Sequence, residues 1–221
     1  MVQHKDLLQN QNAFLREWKP FRETYLFQLL SREAPPSRRD CGGCGKTEGK
    51  FFRCSDCWSP HWYCGTCCVE GHQWHPFHRI QEWTGSFFTP TTLKDLGFIL
   101  HIGHSGGVCP SAEDHNNDDD ENLVIVDKSG IHRHQVRWCA CKDRGQRHLM
   151  LFKMGLFPAS TEKPKTAFTF QCLDYFHLDS MECKTAANNF FNKLRRLTNK
   201  TFPDSVDVSS NVDSDDPNSE H

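Results

Sequence analysis

The feature that most constrains this chain is a run of three C-x2-C pairs followed by two histidines. It reads Cys41-x2-Cys44-x9-Cys54-x2-Cys57-x6-Cys64-x2-Cys67-x4-His72-x5-His78. Each pair can fold into a tight knuckle that aims two sulfurs at one ion, and eight such donors suffice for two closed tetrahedral zinc sites. The span 41–78 holds 38 residues. That is below the ~40 at which a chain usually needs disulfides, metal or oligomerisation to fold alone. Disulfides are the disfavoured route. The N-terminal stretch MVQHKDLLQNQNAFL has no apolar signal segment, so a reducing compartment is expected, nuclear or cytoplasmic, with no secretion. Apolar runs are only a few residues long, so no membrane helix of ~20 apolar residues is encoded.

The spacing leaves two pairings open. In a cross-brace, Cys41, Cys44, Cys64 and Cys67 hold one ion while Cys54, Cys57, His72 and His78 hold the other. In a sequential scheme, Cys41, Cys44, Cys54 and Cys57 share the first ion and the remaining four the second. Both give one all-cysteine site and one site of two cysteines and two histidines, so charge does not decide. Cys68, His61 and His75 are surplus, and His75 is an alternative to His72 or His78. Phe51, Phe52, Trp58, Trp62 and Tyr63 are expected to form a small apolar core around the metals. The series resembles ZZ and B-box zinc modules, which implies the cross-brace. Cys57-x3-His61-x2-Cys64 has the spacing of a RING ubiquitin ligase, but the further C-x2-C pair that would close a RING does not follow Cys67.

A second set of donors lies further on: His104, Cys109, Cys139 and Cys141. If Cys139-Ala-Cys141 is extended, its two sulfurs point to one face and can converge on Cys109, with His104 as fourth ligand and His132 as its substitute. Cys172 and Cys183 have no partner at metal spacing and are expected to be buried as small apolar residues. His177 is expected to be a hydrogen-bonded core or surface histidine.

The expected fold class is α+β, in four parts. Residues 1–36 form a helical segment in which Pro20 starts a second helix, Pro35-Pro36 ends it, and the aromatic content favours packing on the body. Residues 37–82 form the double-metal module. Residues 83–199 form a body with a short helix near Thr92–Leu96 and a strand at Phe98–Ile102. An acidic, disordered loop at 110–122 follows, and then a hairpin of Leu123–Val126 and Ile131–Cys139 turning at Lys128-Ser129-Gly130. Further helices are expected over His148–Met154 and Ala186–Leu197. Between them, the pattern from Thr166 to Phe176 reads as a helix with strand ambiguity. Residues 200–221 form a disordered acidic tail.

Several of these motifs recur in one order: the C-x2-C series ending in HPFHRIQEWTGSFF, then HIGHSGGVCP, GIHRHQVRWCAC, LMLFKMGLFPAS, KPKTAFTFQCLDYFH and NNFFNKLRRLTN. Over roughly residues 18–199 the chain resembles the CxC-type cysteine cluster associated with fungal KDZ (Kyakuja–Dileera–Zisupton) transposases. That resemblance implies a cysteine cluster ahead of a carboxylate-metal transposase core. No apolar segment that could build such a core follows Asn199, so the cluster alone is expected, without transposase activity.

Charge is segregated. The net charge is −2, but 113–121 and 201–221 each carry six acids and no Lys or Arg; without them 16 acids face 26 bases, a formal +10. A basic body suits an anionic partner. DNA or a transposase nucleoprotein complex is therefore the expected partner, with Arg38, Arg39, Arg137, Lys142, Arg144, Arg147, Arg195 and Arg196 as phosphate contacts. A protein-interaction adaptor is the alternative; neither a membrane nor a small-molecule substrate is expected. Enzyme chemistry is not expected: Asp127, Asp174 and Asp179 have no recognisable catalytic partner, and a closed zinc shell has no vacant position. Two zinc ions are expected in 37–82, with a third depending on Cys109, Cys139 and Cys141.

Overall fold

The computed structural model describes residues 12–34, 40–58, 61–111 and 120–206. The fold is mixed α+β and is built on two sheets. Sheet A has the order β2-β1-β3-β4, all antiparallel, from β1 (Phe51–Cys54), β2 (Tyr63–Cys64), β3 (Ile80–Trp83) and β4 (Phe88–Thr91). A single helix on this side, α2 (Gly65–Gly71), follows β2 directly. Sheet A runs on to Thr91, past the boundary expected at residue 82. Trp62, Trp83 and Phe88 interlock behind it, with centroids 5.0 to 5.5 Å apart, and the Arg53 guanidinium lies 3.6 Å over the Phe88 ring. Phe51, Phe52 and Trp62 are buried as the composition suggested. Trp58 is not, being fully exposed on the loop after Cys57.

Sheet B has the order β5-β7-β6-β9-β8, formed by β5 (Ile99–Ile102), β6 (Asp120–Asp127), β7 (Gly130–Trp138), β8 (Leu156–Pro158) and β9 (Thr166–Thr169). The β6–β7 hairpin is tight, Asp127 facing Gly130 across Lys128 and Ser129, with Gly130 at φ +144°. β5 joins β7 in parallel, and β9 joins β6 in parallel. One face carries Leu123, Ile125, Val136 and Trp138 toward sheet A; the other carries Val124, Val126 and Ile131 toward the C-terminal helices. Those helices are α4 (Phe170–Cys183) and α5 (Ala187–Thr198), while the shorter α3 (Arg147–Lys153) precedes β8. Alternating strand side chains thus feed two cores, each large buried side chain contributing ~1.5–3 kcal/mol. The larger core is continuous between the sheets: Phe52, Cys54, Cys68 and Ile80 pack in one cluster with Phe98, Leu100, Val136 and Trp138.

Several expectations need correction. Thr92–Leu96 is a set of turns, not a helix. Thr92 and Asp95 cap one another reciprocally, and Gly97, at φ +86°, ends the turn before helix can propagate. The segment 166–183 is both strand and helix, divided at Thr169. Asp120–Asn122 are not loop but open β6; 112–119 lie outside the described residues. Lys200–Val206 do not belong to a disordered tail, since a 3-10 turn at Pro203–Ser205 brings Val206 against the α5 core; 207–221 lie outside the described residues. Cys172 is buried but Cys183 is exposed, as is His177. The N-terminal segment is helical over 12–18, through a 3-10 turn at Lys19–Phe21 and α1 (Arg22–Ser31), yet every residue from 12 to 34 is exposed. It does not pack on the body.

Candidate metal centres

β1 and β2 pair with Phe51 opposite Cys64, so Cys54 leaves one end of the ladder and Cys64 the other. This pairing sorts the donors. Cys41, Cys44, Cys64 and Cys67 gather at one end; Cys54, Cys57, His72 and His78 gather at the other; the ligand atoms of each group lie within 4.8 Å of one another. The grouping is interleaved along the chain, not sequential. His104, Cys109, Cys139 and Cys141 form a third group by the same measure.

The all-cysteine group is shaped by its knuckle. The amides of Gly43 and Cys64 point at the Cys41 sulfur from 3.4 and 3.2 Å, and Gly45, at φ +73°, closes the turn by donating to the Cys41 carbonyl. A Cβ on Gly43 would stand 2.9 Å from the Cys67 sulfur, so the cradle tolerates only glycine there. Burial raises the Cys41 thiol's pKa, but the Cys64, Cys44 and Gly43 amides outweigh it and bring the value down to about 6. Cys67 is pushed up by its sulfur neighbours, Cys64 first.

In the mixed group, Cys57 Sγ lies 3.5 Å from His72 Nε2 and 3.4 Å from His78 Nδ1, and Cys54 Sγ lies 3.5 Å from His78 Nδ1. His72 Nδ1 sits 2.7 Å from the Cys68 carbonyl, an acceptor, which fixes the proton on Nδ1 and leaves Nε2 as the donor atom. Burial lowers the pKa of both histidines, favouring the neutral, ligating form. Burial pushes Cys54 up to about 12, against the amides of Asp56 and Cys57. A divalent cation offsets that penalty directly. Asp56, between the two cysteines, holds Arg79 through its backbone amide and guanidinium, and Arg79 reaches on to the Leu197 carbonyl of α5.

The third group sits where parallel neighbours β5 and β7 end together, Ile102 beside Trp138, with the Cys139 amide on the Ile102 carbonyl. Gly103, at φ +118°, and His104, at φ +46°, turn the chain back so that His104 Nε2 lies 3.2 Å from Cys139 Sγ and 3.4 Å from Cys141 Sγ. Cys109 Sγ lies 3.9 and 3.7 Å from the same sulfurs. The C-x-C pair is not in a strand as expected: β7 ends at Trp138, and Cys139 accepts from the Cys141 amide in a knuckle of its own. His132, the substitute considered for His104, lies elsewhere, against Ser129 Oγ at 2.9 Å. His75 stacks on His78 without joining a group, and Cys68 remains a buried spare thiol.

On a tetrahedral zinc with Zn–S ~2.3 Å and Zn–N ~2.0–2.1 Å, sulfurs stand about 3.8 Å apart and sulfur and nitrogen about 3.5 Å apart. The short edges lie close to those values: 3.8 Å for Cys44–Cys64 in the all-cysteine group, 3.4 to 3.5 Å for sulfur–imidazole pairs in the mixed group, and 3.7 to 3.9 Å and 3.2 to 3.4 Å for the two kinds of pair in the third. Each group is therefore positioned to bind a metal ion. None of the twelve cysteines is in a disulfide. The charged residues singled out for phosphate are less uniform. Arg147 pairs with Glu121 and lies over Trp138, and Arg195 pairs with Asp204. Lys142, Arg144 and Arg196 are exposed, Arg137 is half-buried, and Arg38 and Arg39 lie outside the described residues. Asp127 and Asp179 are occupied by Ser129, Thr169 and Lys193, and Asp174 is exposed. Among the described residues no helix is long and apolar enough to cross a membrane.

No curated protein and no solved structure matches this chain. Residues 93–202, which contain the whole of the third donor group and sheet B, match the family of CxC2-like cysteine clusters associated with KDZ transposases.

Proposed function

We propose that the chain is a non-enzymatic zinc-binding module that assists a transposase nucleoprotein complex in holding nucleic acid, with three zinc ions as its structural frame. The carrying observation is that three groups of four cysteine and histidine donors each gather their ligand atoms within 4.8 Å of one another. Four protein donors close a zinc shell and leave no position for water, which is the signature of a structural site. The interleaved pairing of the first two groups is the cross-brace that ZZ and B-box modules use. Exposed Lys142 and Arg144, beside the Cys141 knuckle, and Arg196 on α5 are the bases free to meet phosphate. Native mass spectrometry should count three zinc ions. Gel-shift titration should show sequence-tolerant DNA binding that falls steeply with salt, because bound Lys and Arg displace counterions. Two or fewer ions in folded protein, or no DNA binding at low salt, removes the corresponding half of the proposal.

A peptide-binding adaptor is favoured by a different observation. A cleft of about 710 Å³ opens between the His72–His78 turn and sheet B, walled by Trp74, Phe77, Phe98 and Phe170. Retention of peptides without DNA binding would select this reading.

A further inference from the structure

Nine large apolar side chains between Phe14 and Leu30 are 45% to 68% exposed, and α1 has no buried residue at all. At roughly 150–250 Å² per large side chain, they present on the order of 1,000 Å² to water. Isolated apolar patches on monomers rarely exceed a few hundred Å². A helix of this length, interrupted by a 3-10 turn at Pro20, is also marginal by itself in water. Among the described residues its ties to the body are at its far end, where Arg53 donates to the Arg32 carbonyl at 2.8 Å and pairs with Glu33 at 2.6 Å. The arm is held at its base and left without a partner along its length.

The sequence says what partner it fits. Residues 12–34 carry four bases and three acids, a net charge of only +1 with which to seek nucleic acid or an acidic surface. Six of the nine apolar positions are equidistant about Arg22: Phe14 mirrors Leu30, Leu15 mirrors Leu29 and Trp18 mirrors Leu26. A segment symmetric about its own centre is complementary to itself run in the opposite direction. A two-fold axis at Arg22 sets these six apolar against apolar, brings Tyr25 opposite Lys19, a cation–π pairing, and leaves Phe21 opposite Glu23 and Phe27 opposite Glu17. The axis is tolerable for Arg22 because Glu23 lies beside it, 4.0 Å from its guanidinium. The exposed area is also of the size needed, since each partner of a standard interface contributes ~800 Å².

We propose that the helical arm is a dimerisation element, pairing antiparallel with the same arm of a second copy about a two-fold axis near Arg22. The contact is isologous, so it closes at two copies. The dimer would place two zinc-framed bodies at opposite ends of one helix pair.

Sedimentation equilibrium of the full chain over a range of concentrations should return a dimer. Trp18→Asp with Leu26→Asp should return a monomer with unchanged zinc content, because both side chains lie outside the core and the donor groups. A photo-crosslinking residue in place of Leu15 should join the neighbourhood of Leu29 in the second copy. A monomeric full chain, a dimer that survives the double substitution, or crosslinks from Leu15 to Leu15 or to the body would each overturn the proposal.

Discussion

His134 lies on β7 with 2% of its surface exposed, edge-on to Phe77 at 5.9 Å and to Phe98 at 5.7 Å, and neither ring nitrogen has a properly aligned hydrogen bond. Burial lowers its pKa to about 3, with His132 and Lys94 adding repulsion and the Pro76 carbonyl acting the other way. In the unfolded chain the same imidazole takes a proton near pH 6.5. Between pH 6.5 and 3 the unfolded state therefore binds more protons, and stability falls as the pH drops. From pH 7 to pH 5 this one group costs about 2 kcal/mol. His132, lowered to about 4 chiefly by its own burial, acts in the same direction. His134→Leu removes one of the two contributions while roughly keeping the volume. Urea denaturation with zinc saturating should show the variant gaining about 2 kcal/mol on the wild type between pH 7 and pH 5. An unchanged gap would mean that the folded imidazole is already solvated.

Thr169 divides one apolar stretch into two elements. Its hydroxyl accepts from the Cys172 amide, capping α4, and donates to Asp127 Oδ1 at 2.7 Å, where burial is opposed by the Ser129 and Thr169 hydrogen bonds that keep the carboxyl ionised. Thr169→Ala should cost about 2–3 kcal/mol, the cap and the buried carboxylate's bond together, while Thr169→Ser should cost less than half of that; thermal unfolding measures both. The ambiguity of 166–176 in the sequence has this cause. Phe168 belongs to the period of β9 and Phe176 to that of α4, and the boundary is a hydroxyl whose partners are remote in sequence. Where one period ran undisturbed the sequence was readable: Phe190 and Leu194 of α5 are buried as their spacing implied, and the β6–β7 hairpin follows its turn residues. The parallel pairings β5–β7 and β6–β9 had no local signal, because register between non-consecutive strands is set by packing. The donors of the third metal group were legible as residue types, but their convergence depends on Gly103. A Cβ there would meet Cys139 Cβ at 2.8 Å, a contact no spacing rule anticipates.

The sites differ in how they are built into the whole molecule. Cys54 of the mixed group, and Cys109 and Cys139 of the third, are members of the core that joins the two sheets; Cys41 and Cys64 belong to a separate small cluster with Phe51 and Trp62. Arg79 strengthens the first connection, tying Asp56 beside Cys54 to the last turn of α5. Metal binding in such a chain is folding free energy, but it is delivered to different places. Losing the mixed site unpins the buried His72 and Cys54, the latter a member of the core that also holds Phe98 and Trp138. Losing the all-cysteine site frees a knuckle whose outermost member, Cys44, is exposed. Cys54→Ser should therefore lower hydrogen-exchange protection in β6 and β7, remote in sequence, by roughly 5- to 30-fold. Cys44→Ser should leave those strands protected and loosen only β1, β2 and the Cys41 turn. Chelation, which strips every site, should abolish protection throughout. Equal loss in sheet B from both substitutions would mean that the molecule unfolds as one unit whichever metal is removed, and equal retention would mean that the core between the sheets holds without the mixed site.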